Sequence, residues 1–269
     1  CTPELWAKLT AKYPLCSYAN PYGRGDGIVA AQELGAVVDG GDQYLNTFAG
    51  VLEDPKDACS GAFLLLSPGA RRVWEIFVNA KGRRFMQEDH PSIDYRERSL
   101  LKQPGNRMFV VFDEGILQNA SPIMLGAETD FRRKFGRHPS YVRANTLREL
   151  AAKLGLPSSA LVKTVRDYNR AVDRGEDTRH GKQFLIRKID EAPYYAIKAQ
   201  GITVVSPAGV KVDRQLRVLR RTGRPIPNLY AAGEVLGFAR TSGNAFVGGM
   251  SLTPALSFGR ILGEQILRW

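Results

Sequence analysis

The chain has 269 residues, of which 43% are hydrophobic and 24% charged, and its formal net charge at pH 7 is +11. This composition is typical of a globular protein with one large domain or two ordinary ones, and it excludes disordered and collagen-like chains. No apolar run approaches the eighteen residues of a membrane helix, so we expect a soluble, cytoplasmic protein without a membrane span. The cations are scattered among acids, which predicts a cationic surface or an anion-attracting cleft and argues against nucleic-acid binding.

Cysteine and histidine positions predict no metal site. The three cysteines, Cys1, Cys16 and Cys59, form an odd set without CxxC spacing, so we expect three thiols rather than a disulfide framework. His138 and His180 lie in polar stretches and lack metal-ligand spacing, so they are interpreted as surface residues.

The first third of the chain alternates short helices with short extended segments. Thr2–Lys12 and Gly27–Gly35 are predicted helices, and the second ends at a glycine typical of a helix C-terminus. The predicted strands here are Gln43–Ala49, Ala62–Leu66, Arg72–Val78 and, after a glycine turn, Arg83–Glu88.

The middle of the chain carries the strongest helix signals. Thr146 and Glu149 have the spacing of a capping box, in which both side chains satisfy backbone amides. Ala160–Val172 is amphipathic, with Leu161, Val165 and Tyr168 on one face. Asp94–Lys102 and Met124–Arg137 are further predicted helices, and Arg107–Phe112 is a predicted strand.

The last third changes to short strands and closes with a helix. The predicted strands are Tyr194–Ala199, Ile202–Val205, Gly209–Val212, Arg217–Leu219 and Leu229–Ala232. A hairpin-like turn at Arg221–Gly223 follows the fourth of them. Thr253 before Pro254 is typical of a helix start, which predicts a helix over Ala255–Arg268.

One local pattern has the form of a cofactor site. The predicted strand Leu229–Ala232 runs into Gly233 and Glu234, and paired glycines, Gly248 and Gly249, precede the last helix. Such an arrangement suits a flavin, because the acid accepts a hydrogen bond from a sugar hydroxyl and glycines let backbone amides approach the ring. The helix dipole would favour the negative charge of a reduced ring. A plain strand-to-helix turn is the alternative interpretation.

Four ordered motifs carry a family resemblance. They are Gly25–Ile28, similar to a TGDG element; Phe77–Glu88, similar to VNxxGxRFxxE; and Val210–Asp213 with Gly223–Glu234, similar to a closing strand unit. On these motifs the chain resembles the flavoprotein family that contains fumarate reductases, succinate dehydrogenase flavoproteins, 3-ketosteroid dehydrogenases and tricarballylate dehydrogenases.

The resemblance implies an α/β FAD-binding domain remnant from residues 1–50 and 202–269, and an α+β cap (substrate) domain from residues 51–201. FAD is the implied cofactor. The implied FAD contacts are Asp26, Gly233, Glu234, Gly249, Ser251 and Leu252. An ordinary N-cap for a helix starting at Gly27 is the alternative for Asp26.

The family's opening strand and its GxGxxG turn have no counterpart in this chain. Gly25–Ala30 formally matches GxGxxA, but the preceding segment Cys16–Tyr22 is not a convincing buried strand. The resemblance therefore implies the C-terminal part of an oxidoreductase, and we do not expect this chain alone to hold FAD tightly.

Substrate-side positions match the family poorly. The proton-donating arginine of fumarate reductases falls near Ser92, their substrate histidine near Thr203–Val205 and their second arginine near Phe246. The ExxPY tyrosine of the steroid dehydrogenases is also absent. Their second tyrosine, in a PxYA element, corresponds to Tyr195, for which a buried structural tyrosine is the equal alternative.

Three residues are the predicted catalytic candidates: Arg240, Tyr195 and Arg96. Arginine is favoured because its planar fork binds carboxylates, and Arg240, in a glycine-flanked loop, is the preferred anion contact. A solvated charged face is the alternative for Arg96.

The predicted function is an FAD-dependent oxidoreductase or dehydrogenase. It would act on a carbon–carbon bond next to a carbonyl or carboxylate, exchanging a hydride with flavin N5. The partner is a small-molecule substrate, anionic or carbonyl-containing. A truncated, non-catalytic fragment or an interaction domain that keeps the fold is the alternative.

Overall fold

The computed structural model describes residues 2–10, 13–124 and 128–267. Parts of three predicted helices, at residues 11–12, 125–127 and 268, lie outside the described residues, as does Cys1. The chain divides into two compact units: unit 1 comprises Cys1–Leu45 and Thr203–Trp269, and unit 2 comprises Asn46–Ile202.

Both units mix helices and strands. The helices are α1 (Pro3–Thr10), α2 (Asp26–Glu33), α3 (Ile93–Leu101), α4 (Glu114–Asn119), α5 (Glu128–Lys134), α6 (Leu147–Leu154), α7 (Ser158–Arg174), α8 (Phe238–Ser242) and α9 (Leu252–Gln265). The strands are β1 (Val38–Asp39), β2 (Thr47–Leu52), β3 (Gly61–Phe63), β4 (Ile76–Val78), β5 (Arg107–Asp113), β6 (Tyr141–Ala144), β7 (Tyr194–Ile202), β8 (Gly209–Val210), β9 (Arg217–Leu219) and β10 (Pro225–Tyr230). Single 3₁₀ turns lie at Pro104–Asn106 and Gly233–Leu236.

Unit 2 is organised around a six-stranded antiparallel sheet. Its strand order is β3-β2-β7-β5-β4, and β6 pairs with the first part of β7. Strand β7 is central because β2, β5 and β6 all pair with it, and every residue of β5 has a partner in β7, with Val110 opposite Ile197. The long helix α7 buries Leu161, Val165 and Tyr168, which confirms the apolar face predicted from the 3.6-residue period.

Unit 1 contains two small antiparallel sheets, β1 with β8 and β9 with β10. Helix α2 contributes Ile28 and Ala31 to a small core that also contains Val210, Val218 and Ile226. The hairpin predicted at Arg221–Gly223 is confirmed, because β9 and β10 flank it in antiparallel pairing.

Some local predictions are wrong. Arg83–Glu88 is not a strand, since Arg84 forms only an isolated bridge with Val78 and turns its side chain to Glu88. Helix α9 begins at Leu252, so Thr253 lies in its first turn rather than capping it. Helix α8 was not predicted.

The expectation of three thiols is also wrong, because Cys59 is disulfide-bonded; Cys16 is a buried thiol. None of the helices in the described ranges is long and apolar enough to cross a membrane.

Candidate functional site

Unit 1 contains a cavity of about 440 Å³ beside the start of helix α2. The loop before α2 forms one wall and is held to Thr203 by two backbone bonds, from Tyr18 N to Thr203 O (2.9 Å) and from Thr203 N to Cys16 O (2.8 Å). Apolar side chains of α1, including Leu5 and Trp6, form another part of the lining. The cavity is therefore largely apolar, with polar groups only at defined points.

Two carboxylates, Asp26 and Glu234, line this cavity. Asp26 is the first residue of α2, and Glu234 lies in the 3₁₀ turn Gly233–Leu236. A Cβ added to Gly27 would lie 3.3 Å from Val235 Cγ2, so the start of α2 packs beside that turn. Segments more than 200 positions apart in the chain thus bring both acids to one cavity.

Glycine is required immediately before each acid. Gly25 has φ 84° and Gly233 has φ 80°, backbone conformations that other residues rarely adopt. A Cβ on Gly25 would also come within 2.4 Å of Leu5 Cδ2. These glycines let the backbone turn sharply and present the following carboxylate to the cavity.

Neither the Asp26 nor the Glu234 carboxylate has a hydrogen bond or ion pair with the described residues, and both residues are exposed to solvent. These two carboxylates stay unpaired although cations outnumber acids in this chain. They are therefore available to accept hydrogen bonds from a ligand. Helix α2 has Gly25 as its N-cap and no side-chain cap bond, so the capping interpretation of Asp26 is wrong.

The other predicted cofactor residues are not among those that line this cavity. Gly249 has φ 84°, and Ser251 and Leu252 form the start of α9, where Leu252 is 65% exposed. A Cβ on Gly233 would lie 3.8 Å from Ala255 Cβ, so the Gly233–Leu236 turn packs on the first turns of α9. The structure therefore brings Asp26, Gly233 and Glu234 together and holds the start of α9 next to that turn.

Arg240 occupies a different part of unit 1. Its guanidinium forms an ion pair with Asp39, and Lys211 Nζ lies 3.7 Å from the same carboxylate. Arg240 lines a separate cavity of about 330 Å³. Its charge is already balanced, so an incoming anion would compete with Asp39.

Tyr195 lies within unit 2 and is 5% exposed. Its ring stacks on Phe112 with centroids 5.6 Å apart, and its hydroxyl donates to Glu114 Oε2 at 2.5 Å. Burial, followed by the bond to Glu114, raises the pKa of the hydroxyl. This environment favours a structural role.

Arg96 is 1% exposed, so the interpretation as a solvated charged face is wrong. Its Nη2 donates to Ser67 Oγ at 3.0 Å, and its guanidinium lies 5.4 Å from the ring centroid of Phe48. Burial lowers its pKa, and its Nε has no hydrogen-bond partner among the described residues. Arg98, two positions on, pairs with Asp94 on the helix surface at 2.7 Å.

Buried charges of unit 2 were missed by sequence reasoning. Glu97 is 2% exposed, and burial raises its pKa to about 8. Lys182 is 1% exposed and donates to the carbonyl oxygens of Val73 and Glu75. The sequence signal for such a network was the i,i+4 spacing of Arg84 and Glu88, which form a 2.5 Å ion pair, and of Arg71 and Glu75, which form another buried pair. Among the described residues, no group of three or more His, Cys, Asp and Glu could hold a metal ion.

The fold is similar to that of flavoproteins of the fumarate reductase type. The structure of the open conformation of a flavocytochrome c3 fumarate reductase matches 98% of this chain and 43% of its own length, with a TM-score of 0.63 and 28% identity. Residues 9–252 match the model of the FAD binding domain, so the chain belongs to the FAD-binding domain family. FAD is thus its cofactor, and the family match confirms the resemblance carried by the motifs. The similar structure confirms the predicted α/β plus α+β fold class.

Curated relatives agree with this assignment. An NADH:acrylate oxidoreductase of Vibrio harveyi is 34% identical over 90% of this chain, which spans 22% of that protein. A 3-oxosteroid 1-dehydrogenase of Mycobacterium tuberculosis is 30% identical over 97% of this chain, which spans 48% of that protein. The chain therefore spans less than half the length of these relatives.

Proposed function

We propose that this chain is part of an FAD-dependent oxidoreductase that acts on a carbon–carbon bond next to a carbonyl or carboxylate. The observation that carries the proposal is the pair of unpartnered carboxylates, Asp26 and Glu234, at one cavity of a chain from the FAD-binding family. The substrates in the relatives' names support the reaction type, because acrylate and fumarate hold a double bond beside a carboxylate and a 3-oxosteroid holds a ketone.

The residues at this cavity suit part of FAD. Carboxylates of Asp26 and Glu234 can accept hydrogen bonds from ribityl or ribose hydroxyls, and the apolar lining from Leu5 and Trp6 suits a ring system. When bound, FAD supplies hydride chemistry. The chain's own residues orient the cofactor and exclude water from it.

The start of α9 is the second proposed contact. Gly249 has no side chain to cover the backbone, and the amides of Ser251 and Leu252 have no hydrogen-bond partner among the described residues. Ser251 and Leu252 would therefore approach the cofactor through backbone amides, at the helix end that favours negative charge.

Arg240 is the proposed substrate anchor among the three candidates, since its guanidinium is exposed whereas Tyr195 and Arg96 are buried. A carboxylate or carbonyl oxygen would take over part of the interaction that Asp39 now makes. The catalytic roles of Tyr195 and Arg96 stay predictions, as does the cytoplasmic location.

Titration with FAD tests the cofactor site. In the full-length protein, Glu234→Gln and Asp26→Asn each remove a charged acceptor, and each should weaken FAD binding by about tenfold or more, because a hydrogen bond to a charged group contributes about 1.5–3 kcal/mol. Flavin fluorescence quenching measures the affinity. Glu33→Gln is the matched control, since Glu33 is exposed on α2 outside the cavity. Wild-type affinity for FAD in both cavity variants would contradict the assignment of Asp26 and Glu234 to the cofactor site.

A flavin-binding domain without catalysis is the second candidate function. The observation that favours it is the engagement of two catalytic candidates in internal contacts, Tyr195 with Glu114 and Arg96 with Ser67. This candidate would be supported if flavin binds but is neither reduced by saturated carbonyl compounds nor, once reduced, reoxidised by alkenes conjugated to a carbonyl group.

A further inference from the structure

A second cavity, here called the α7 cavity, lies within unit 2 and has a volume of about 630 Å³. One side is helix α7. The turn containing Arg83 and Arg84 and the loop Asp177–His180 form the rest. The predicted flavin and substrate residues do not line it, so it is unrelated to the function proposed above.

The walls of the α7 cavity are held by direct contacts. Thr164 Oγ1 donates to Gly82 O at 2.7 Å, which fixes the turn against α7. The Arg84 guanidinium lies 2.7 Å from Asp177 Oδ2, and the backbone amide of His180 donates to Asp177 Oδ1 at 3.2 Å. Turn and loop are therefore preorganised around the cavity.

The charge of the α7 cavity is strongly positive. Arg84 is neutralised by Glu88 and Asp177, and Lys163 by Asp167. The remaining cations are four exposed arginines that form no ion pair with the described residues: Arg83, Arg170, Arg174 and Arg179. Arg170 and Arg174 lie one helical turn apart, so their like charges repel each other unless an anion sits between them.

We propose that the α7 cavity binds a small polyphosphate through these four arginines. Arginine recognises phosphate with its planar fork, and several forks around one cavity suit a chain of phosphoryl groups better than a monoanion. The ring of Tyr168 is covered by Arg84, whose guanidinium carbon lies 5.5 Å from the ring centroid. The face of Tyr168 that Arg84 covers is thus closed to a nucleobase, and the four arginines recognise the phosphates.

Isothermal titration of the FAD-saturated full-length protein with sodium tripolyphosphate tests the proposal. Arg170→Gln combined with Arg179→Gln should weaken binding by about tenfold or more, since each arginine makes charge-assisted bonds. The matched control is Arg148→Gln combined with Arg166→Gln, which removes the same charge from exposed positions outside the cavity. The control should change the affinity by less than about twofold, because screened surface charges contribute little.

ATP and duplex DNA, titrated in parallel, distinguish the sources of phosphate. Equal binding of ATP and tripolyphosphate assigns the site to the phosphate chain, and tighter binding of ATP assigns it to a nucleotide; both support the proposal. Tighter binding of duplex DNA, lost equally in both double variants, would replace it with a diffuse nucleic-acid surface.

Histidine NMR signals localise the ligand. The chain has three histidines, and His180 alone among them lines the α7 cavity. His138 Nε2 is hydrogen-bonded to Glu53 O at 2.6 Å, and the ring of His90 stacks on that of Tyr95. Tripolyphosphate should shift the ring signals of His180 and leave those of His138 in place. Absence of saturable binding, or equal losses in the cavity and control variants, overturns the proposal.

Discussion

At the scale of single residues, Glu97 shows how burial changes a side chain's chemistry. Its carboxyl group accepts a bond from Phe48 N at 3.3 Å, yet desolvation outweighs this bond and the neighbouring Arg96 charge. The pKa is therefore raised from 4.5 to about 8, and the group is protonated in the folded protein at neutral pH.

Glu97→Gln should change the pH dependence of stability. Between pH 4.5 and about 8 the folded protein keeps a proton that the unfolded chain has lost, so this group's contribution to stability falls as pH rises. Glutamine is neutral at every pH in that window. The free energy of unfolding of the variant should therefore rise relative to that of the wild type, by up to about 5 kcal/mol, as pH increases across the window.

Urea unfolding at about pH 5 and about pH 8.5 measures this difference. Glu176→Gln, an exposed position, should follow the wild-type curve at both values. A constant stability difference between Glu97→Gln and wild type would show that Glu97 is ionised in the folded protein.

At the scale of elements, the start of helix α6 is defined by a local sequence signal. Thr146 Oγ1 accepts from Glu149 N at 3.1 Å, as the capping box predicts. The Glu149 carboxylate accepts from Asn145 N at 2.9 Å, one residue before the cap. Both bonds lie within five residues, which is why sequence reasoning found this helix start.

Thr146→Ala should lower the free energy of unfolding by about 1 kcal/mol, because an amide at the helix start loses its acceptor. Chemical denaturation measures the loss. Ser158→Ala is the matched control, since Ser158 opens α7 without a side-chain cap bond and should change stability by less than about 0.5 kcal/mol. Equal effects of the two substitutions would show that the Thr146 bond contributes nothing.

At the scale of the whole molecule, the two units should respond differently to FAD. The cavity with Asp26 and Glu234 is built entirely from unit 1. A ligand present at about 100 times its Kd stabilises the bound state by about 2.7 kcal/mol. Amide exchange by unfolding of unit 1 should therefore slow by about a hundredfold.

Hydrogen exchange followed by mass spectrometry resolves this response along the chain. Peptides from residues 13–45 and 203–267 should gain protection, whereas peptides from β5 and α7 should change much less. Protection confined to unit 2 would mean that FAD binds elsewhere, and the carboxylate assignment would then be abandoned.

Local elements of the fold could be predicted because their signals act over a few residues. Helix α7, the capping box at Thr146 and the β9–β10 hairpin are examples. The prediction of a strand at Arg83–Glu88 was wrong because Arg84 pairs with Asp177, which lies in a distant loop that no local pattern reveals. In the candidate site, the glycine-acid pairs at Asp26 and Glu234 were visible as motifs, whereas the Asp39 partner of Arg240 was not.

The sequence by itself therefore determined the FAD-binding family, the helix starts and the acids beside their glycines, because these depend on motifs and on short-range backbone chemistry. Only the tertiary structure decided which charges are buried. Tyr195 meets Glu114 across 81 positions, and Lys182 meets the carbonyl of Glu75 across 107. Burial and pairing at such separations depend on how strands and helices pack, and that packing sets the desolvation that shifts each pKa.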